Sequence, residues 1–431
     1  MANMNRRQFL QATAITAAGM VVHKPVKPAV FGPSDRLNVA LIGCRSMGWG
    51  DLTDILNAGK TQCLALCDID SGILNARVSE IEKTRGNKPS AYGDYRRILD
   101  RKDIDIVVIG TPDHWHCLQF ADACAAGKDI YVEKPVANSI AECDAMVNAA
   151  RKSGSIVQVG QQQRSGQLWK DMVDYINSGK LGKIGRVHVW ANFNYAAINA
   201  HVPDSPPPEG VDFDTWLGPA PTVPFNSQRF HGLWRMFWDY GGGLVTDWGV
   251  HLLDMALWGM NISTMPLSVH AVGGNFHFPD GMHQTFDTLS VHYRFPDFVL
   301  EWENNAGSES GPYGRNYGLL FHGVNGVLVA NRDSWQVYPE REKIPEIIVH
   351  TDNKDRKTHV ANFLDAVRTR NRNTACTIEN GSLCAKYAHL ANISARSGLV
   401  LKYDDKTHKF DNSKANKYLR PKYRKPWNFP E

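Results

Sequence analysis

The stretch RLNVALIGCRSMGWGDLTDIL, residues 36–56, decides the fold. Its apolar run Val39–Ile42 is continuous rather than alternating, as in a parallel strand covered on both faces. A turn from Gly43 to Gly48 follows, and then a helical pattern. Gly43 and Gly48 stand where the first and third glycines of the dinucleotide-binding turn G-x-G-x-x-G would stand, and Arg45 replaces the second. The missing glycine normally lets a pyrophosphate approach the backbone. The turn therefore predicts phosphates set slightly farther out, against the Arg45 guanidinium or the neighbouring amides of Ser46 and Met47.

The pattern continues outward. TQCLALCDID (61–70) reads as a second strand ending in Asp68, 25 residues after Gly43. A carboxylate there accepts hydrogen bonds from the adenosine ribose and repels a 2′-phosphate, which favours NAD over NADP. Asp70 is a rival for that role. DIDIVVIGTPDHWH (103–116), DIYVEKP (129–135) and SIVQVGQQQR (155–164) read as further strands, separated by helical patterns. Strand and helix alternating at this spacing predict a doubly wound parallel sheet over residues 34–164, an NAD-binding Rossmann domain. Ligands of such sheets lie beyond the carboxyl ends of the strands. Thr111, Pro112, His116, Glu133, Lys134 and Gln162 fall there and are candidate cofactor contacts. Lys134 would place a fixed positive charge beside the nicotinamide.

After about residue 165 the texture changes to long, partly alternating strands, as in KIGRVHVWANFNY (183–195) and DTLSVHYRFPDFVLEWENNA (287–306). These predict a large, mostly antiparallel sheet in an α+β domain spanning 165–431, for substrate binding and oligomerisation. Between them, GGGLVTDWGVHLLDMALW (241–258) places Asp247, His251 and Asp254 four and then three residues apart. On a helix that spacing puts three ionisable groups on one stripe of an otherwise apolar element.

The bulk numbers narrow the class. At 431 residues the chain is too long for one typical core. Its net charge of +4 is small for that size, so nucleic-acid binding is not expected. The basic C-terminal stretch KANKYLRPKYRKPW (414–427) reads as a solvated tail packing its Tyr and Trp on the body. At the other end, MNRRQFLQATAITAAGMVV (4–22) sets Arg6 and Arg7 before a short apolar run, resembling a twin-arginine leader over residues 1–33. The reading is export in folded form, to the periplasm or beyond, with a membrane tether only through that leader. None of the eight cysteines shows the spacing of a disulfide scaffold or a zinc site.

The ordered set GCRSMG, CDID, TPDHWH, EKP, VGQQQR, DFDTWLGPA, GGGLVTDWGVHLLD and HVANFLDAVR resembles the glucose–fructose oxidoreductase/inositol dehydrogenase (Gfo/Idh/MocA) family from about residue 35 to 400. The resemblance implies a Rossmann domain followed by an open-sheet domain that often builds a homodimer or homotetramer. It also implies reversible oxidation of a secondary hydroxyl on a sugar or cyclitol. Carried over, the catalytic lysine is Lys134 and the acid–histidine pair is Asp247 and His251.

Elementary chemistry agrees. Oxidising an alcohol needs a base for the hydroxyl proton while hydride leaves the same carbon, and histidine is the natural base. Asp247, one turn earlier, would hold the other ring nitrogen of His251, and Lys134 would stabilise the developing alkoxide. Trp115, Gln163, Arg164, Trp216, Arg235 and Tyr240, with Asp247 and His251, are candidate sugar contacts: aromatic faces and multidentate donors suit a pyranose. His114 and Trp238 belong to the same wider group. Asp254 would position substrate or bond to backbone.

Two bland or rival readings of the stripe are a satisfied buried polar network and a metal site. No further His or carboxylate completes a ligand set, so no metal is expected. The expectation is an exported enzyme with tightly bound NAD that oxidises a sugar or glycoside, at ring C3 or elsewhere. The alternatives are a glycoside hydrolase or lyase working through a transient 3-keto sugar, and a non-catalytic sugar- or nucleotide-binding protein.

Overall fold

The continuous apolar run at the start forms β1 (Leu37–Ile42) at the centre of a six-stranded parallel sheet. The computed structural model describes residues 36–193 and 201–431, so the leader pattern at residues 1–33 lies outside the described residues. With β2 (Thr61–Cys67), β3 (Ser90–Tyr92), β4 (Ile106–Ile109), β5 (Asp129–Val132) and β6 (Val157–Val159), the order is β3-β2-β1-β4-β5-β6. Helices Ser46–Asn57, Ser71–Arg85, Asp113–Ala125 and Ile140–Ser153 connect the strands. β4 and β5 are buried at every position, which is why their sequences are apolar without alternation. The chain order reverses between β1 and β4, and that reversal opens a crevice at their carboxyl ends. The edge strand β3 is only three residues long and largely exposed, too short for a pattern to reveal.

The second sheet has eight strands: β7 (Ile184–Ala191), β8 (Ser268–Gly274), β9 (Thr288–Arg294), β10 (Val299–Asn305), β11 (Tyr317–Gly323), β12 (Gly326–Ala330), β13 (Ser334–Pro339) and β14 (Ile347–His350). Their order is β14-β13-β12-β11-β7-β10-β9-β8, antiparallel throughout except for β7 beside β10. Alternate residues such as Leu289, Val291 and Tyr293 on β9, and Leu300 and Trp302 on β10, enter one core. Helices Gln167–Asn177, Val250–Gly259 and Ile378–Ser397 cover that face. The amphipathic helix Gln167–Asn177 buries Leu168, Trp169, Met172 and Ile176, and it supplies the first layer of the second domain directly after β6.

The chain does not stay in two consecutive blocks. Helix Asp355–Thr369 returns to the first sheet, where Val360, Phe363 and Val367 join the cluster of Val39, Leu41 and Ile106. The basic tail also returns. The Tyr423 hydroxyl donates to Glu142 (2.6 Å), Arg424 donates to the carbonyls of Asp214 (2.6 Å) and Gly218 (2.7 Å), and Trp427 packs edge-on to Trp115. Residues from the last third therefore complete the first domain. All eight cysteines are buried and free, spread through both halves. No helix among the described residues is long and apolar enough to cross a membrane.

Candidate active site

The crevice is a cleft of about 330 Å³ above the glycine turn. Gly43 sits at φ 90°, and a Cβ there would lie 2.8 Å from the Gly110 carbonyl carbon; one on Gly48 would lie 2.4 Å from the Gly43 oxygen. Only glycines let β1, the first helix and β4 approach this closely. No side chain caps helix Ser46–Asn57, so the first-turn amides, including those of Ser46 and Met47, are presented to an anion at the positive end of the helix dipole. Asp68 lines the cleft. Its two oxygens accept the N–H of Cys44 (2.7 Å) and of Asp70 (3.0 Å), which aims the carboxylate and leaves lone pairs for ribose hydroxyls. Asp70 instead caps helix Ser71–Arg85 through the N–H groups of Gly72 (3.0 Å) and Ile73 (3.2 Å). The cradle of glycines, free helix amides and a cleft-lining acid fits a nicotinamide dinucleotide.

At the inner end, Lys134 follows β5. Its Nζ lies 2.5 Å from Asp247 Oδ1 and donates to the Asp247 carbonyl (3.1 Å). Arg235 Nε lies 3.3 Å from the same Asp247 oxygen, so one carboxylate serves two cations. Asp247 reaches them because Val245–Gly249 forms a single widened π-turn ahead of helix Val250–Gly259, a feature found often at functional sites. His251 lies one turn on. Its Nδ1 is buried without a hydrogen-bond partner, and its ring stands near Trp248. Burial, then the positive charges of Arg332 and Lys134, hold the His251 imidazole well below its ordinary pKa. At neutral pH it is an uncharged base.

Several expected roles are corrected. Asp247 does not hold the His251 ring; it is committed to Lys134 and Arg235. Arg164 does not face a sugar: it forks onto the buried Asp254 through Nε (2.8 Å) and Nη2 (2.7 Å). Gln163 donates to the His251 carbonyl (3.2 Å) and accepts from Arg332 (3.1 Å), which supports the helix from behind. His116 is not a cofactor contact, because its two ring nitrogens face the carbonyls of Pro135 (2.8 Å) and Thr111 (2.7 Å). Tyr240 is buried against His114 and Trp216, and His114 in turn meets the Trp216 carbonyl (2.9 Å). Trp238 packs on Phe286 and Arg396, and Gln162 sits half-buried in the short turn after β6, outside the cleft lining.

The cleft does bring together Gly43, Arg45, Ser46, Met47, Asp68, Thr111, Pro112, Trp115, Glu133, Lys134, Trp216 and Arg235. Trp115, Trp216 and Trp234 give it an aromatic wall. Asp113, absent from the sequence-based candidates although it lies inside TPDHWH, also lines it. Burial pushes the Asp113 carboxyl well up, against the opposing pull of Arg235 and Lys134. Arg332 was missed too; it lies over the Trp248 ring, 4.6 Å from its centroid, and only tertiary packing brings it near His251. Among the described residues no three His, Cys, Asp or Glu side chains form a metal-ligand group.

Comparison with known proteins places this geometry. Solved structures of similar fold include a levoglucosan dehydrogenase in complex with NADH and levoglucosan (TM-score 0.65, 20% identity, 85% of this chain and 99% of that one). An aldose-aldose oxidoreductase from Caulobacter crescentus complexed with glycerol is similar too (TM-score 0.64, 18% identity, again 85% and 99%). Among curated relatives, Glycosyl hydrolase family 109 protein 1 of Shewanella sp. (strain ANA-3) is 26% identical over 206 residues, 43% of this chain and 45% of that protein. The alpha-N-acetylgalactosaminidase of Shewanella oneidensis is 25% identical over the same extent. The chain thus spans under half the length of the curated relatives it matches. Residues 37–161 match the NAD-binding Rossmann fold of the Gfo/Idh/MocA oxidoreductases and residues 169–429 their C-terminal alpha/beta domain, so the chain belongs to the Gfo/Idh/MocA oxidoreductase family.

Proposed function

We propose that the protein reversibly oxidises a secondary hydroxyl of a sugar or glycoside, at ring C3 or a neighbouring carbon, with NAD kept bound through turnover. The observation that carries this reading is the Lys134–Asp247 ion pair at 2.5 Å, with Lys134 in the lining of the cleft and the buried, uncharged His251 one helical turn beyond Asp247. Bound dinucleotide would supply the acceptor for hydride leaving the carbinol carbon. The chain's own residues do the rest. Trp115 and Trp216, held by their aromatic neighbours, form a rigid apolar wall of the cleft that limits water beside a bound sugar. Lys134 Nζ donates to the hydroxyl oxygen and stabilises the alkoxide as it forms. His251 takes the hydroxyl proton. Asp247, held between Lys134 and Arg235, fixes the ammonium in place.

Asp68 supports NAD over NADP, because a 2′-phosphate would meet its carboxylate. In the Asp68→Ser variant NAD affinity should fall about tenfold or more, the usual cost of losing a hydrogen bond to a charged group. NADP binding should rise, and titration with both dinucleotides checks the exchange. Unchanged discrimination would remove Asp68 from the ribose site.

Residues 1–33 read as a twin-arginine leader, so we take the enzyme to be exported already folded and loaded with cofactor; eight buried free thiols suit folding in a reducing compartment. A homodimer or homotetramer through the outer face of the eight-stranded sheet is part of the same reading. The glycoside-cleaving alternative draws support from the curated relatives named for that activity. In it, transient oxidation at C3 would acidify the C2 proton, and loss of that proton would expel the aglycone from C1 and leave a 1,2-unsaturated ketone. Water would add at C1 with a proton returning to C2, and the ketone would be re-reduced.

The test is a near-ultraviolet spectrum of purified, dialysed protein during addition of sugars and glycosides. A rise near 340 nm with one of them, and a keto sugar as product, supports the dehydrogenase. Release of aglycone without net reduction supports cleavage. If no nicotinamide dinucleotide binds, both redox readings fail.

A further inference from the structure

A segment of the second domain, including Thr215, Trp216, Phe230 and His231, lines the cleft beside residues of the first domain. Its near end is stapled to the first domain: Ser71 N–H donates to the Gly210 carbonyl (2.9 Å) and Asp212 N–H to the Ile69 carbonyl (2.9 Å). Gly210, at φ 80°, is required there, because a Cβ would lie 2.5 Å from Ser71 Oγ. The Trp115 indole N–H then ties down the Trp216 carbonyl (3.0 Å). The chain returns through Phe230 and turns at His231, which adopts φ 64°, a left-handed conformation uncommon for a residue with a Cβ.

That turn sets His231 Nε2 at 3.3 Å from Arg45 Nη1. The same Arg45 nitrogen lies 3.5 Å from Asp70 Oδ2, and His231 Nε2 lies 3.8 Å from that oxygen. A guanidinium only donates, so Nε2 is the accepting nitrogen and Nδ1 carries the proton. Burial, and then Arg45, lower the His231 pKa to about 4, which keeps the ring in this accepting form at neutral pH. Three side chains from two domains thus converge at the rim, and two of them, Arg45 and His231, line the cleft itself. This also gives Arg45 a use at the position where the turn motif has its second glycine. Glycine has no side chain to reach His231 and Asp70, whereas arginine meets both.

We propose that Arg45, Asp70 and His231 form an interdomain latch over the cleft that slows release of the dinucleotide. The inference rests on the dinucleotide reading above and explains how the cofactor stays bound through turnover. The latch contributes one partly exposed, charge-assisted hydrogen bond across the opening, so its loss should speed release about 3- to 10-fold.

The test is a chase experiment. Full-length wild type, His231→Ala and His231→Gln are loaded with NADH and mixed with excess NAD, and the loss of bound-nicotinamide fluorescence is followed by stopped flow. Faster release from His231→Ala is expected, with most of the retention restored in His231→Gln, whose side-chain oxygen can accept from Arg45. Equal release from wild type and His231→Ala overturns the latch while leaving the dinucleotide site standing, and so does a His231→Gln variant as fast as the alanine variant. Wild type that captures no NADH overturns both.

Discussion

Replacing Lys134 with methionine lowers turnover by about 10²- to 10⁴-fold, the range for loss of a positioned acid–base group, while the dinucleotide still binds. Methionine keeps the length and apolar stem of lysine but carries no charge to meet an alkoxide. The fold should survive, because Arg235, at 3.3 Å, still neutralises Asp247 after Lys134 is gone. Steady-state kinetics with the sugar identified by the spectrum, beside a dinucleotide titration, measures both halves of this result. Turnover within about threefold of wild type would remove Lys134 from the chemistry and favour a binding protein.

The pH profile carries a linked expectation for His251. The base works in its neutral form, and its pKa is held well below the ordinary value, so the neutral form persists as pH falls through 6.5. The acid limb of kcat/KM therefore belongs below pH 6.5, and a His251→Asn variant should lose it along with most of the rate.

The Arg164→Ala variant is expected to lose stability rather than sugar affinity, by about 3–5 kcal/mol. Arg164 and Asp254 are both buried and joined by a two-pronged contact of 2.7–3.0 Å. Removing the guanidinium strands a carboxylate that burial already pushes up in pKa and that Arg164 alone pulls down. The affected pair links the turn after β6 to helix Val250–Gly259, the element that carries His251. Chemical denaturation of Arg164→Ala beside an Arg164→Met, Asp254→Leu double variant tests this. Apolar replacement of both partners should recover most of the loss, since no unpaired charge remains. An alanine variant of unchanged stability with weakened sugar binding would return Arg164 to the substrate site.

Arg164 shows where reading the chain stops. As a residue just past a strand of a doubly wound sheet, it occupies a position that commonly serves ligands. Its partner, Asp254, stands 90 residues away, and nothing local distinguishes a cation facing a cleft from one facing a buried acid. His116 is similar: it sits in the first turn of the helix that follows β4, close to the ligand crevice in sequence, but two backbone carbonyls claim its ring. The same long-range choice paired Asp247 with Lys134 and Arg235 instead of His251, and brought His231 to Arg45 across 186 positions.

By itself the sequence determined whatever depends on local period and spacing. That covers the parallel sheet from uninterrupted apolar strands, the glycine turn, Asp68 at the end of β2, Lys134 at the end of β5, and the helix that bears Asp247 and His251. These follow from backbone geometry within about ten residues, which side-chain order records directly. Tertiary structure alone decided which polar groups meet: the ion pair at the site, the neutral state of His251, the return of helix Asp355–Thr369 to the first sheet, and the rim contact at Arg45. A buried charge takes the partner that satisfies it at hydrogen-bonding distance, and that distance exists only once both domains have packed.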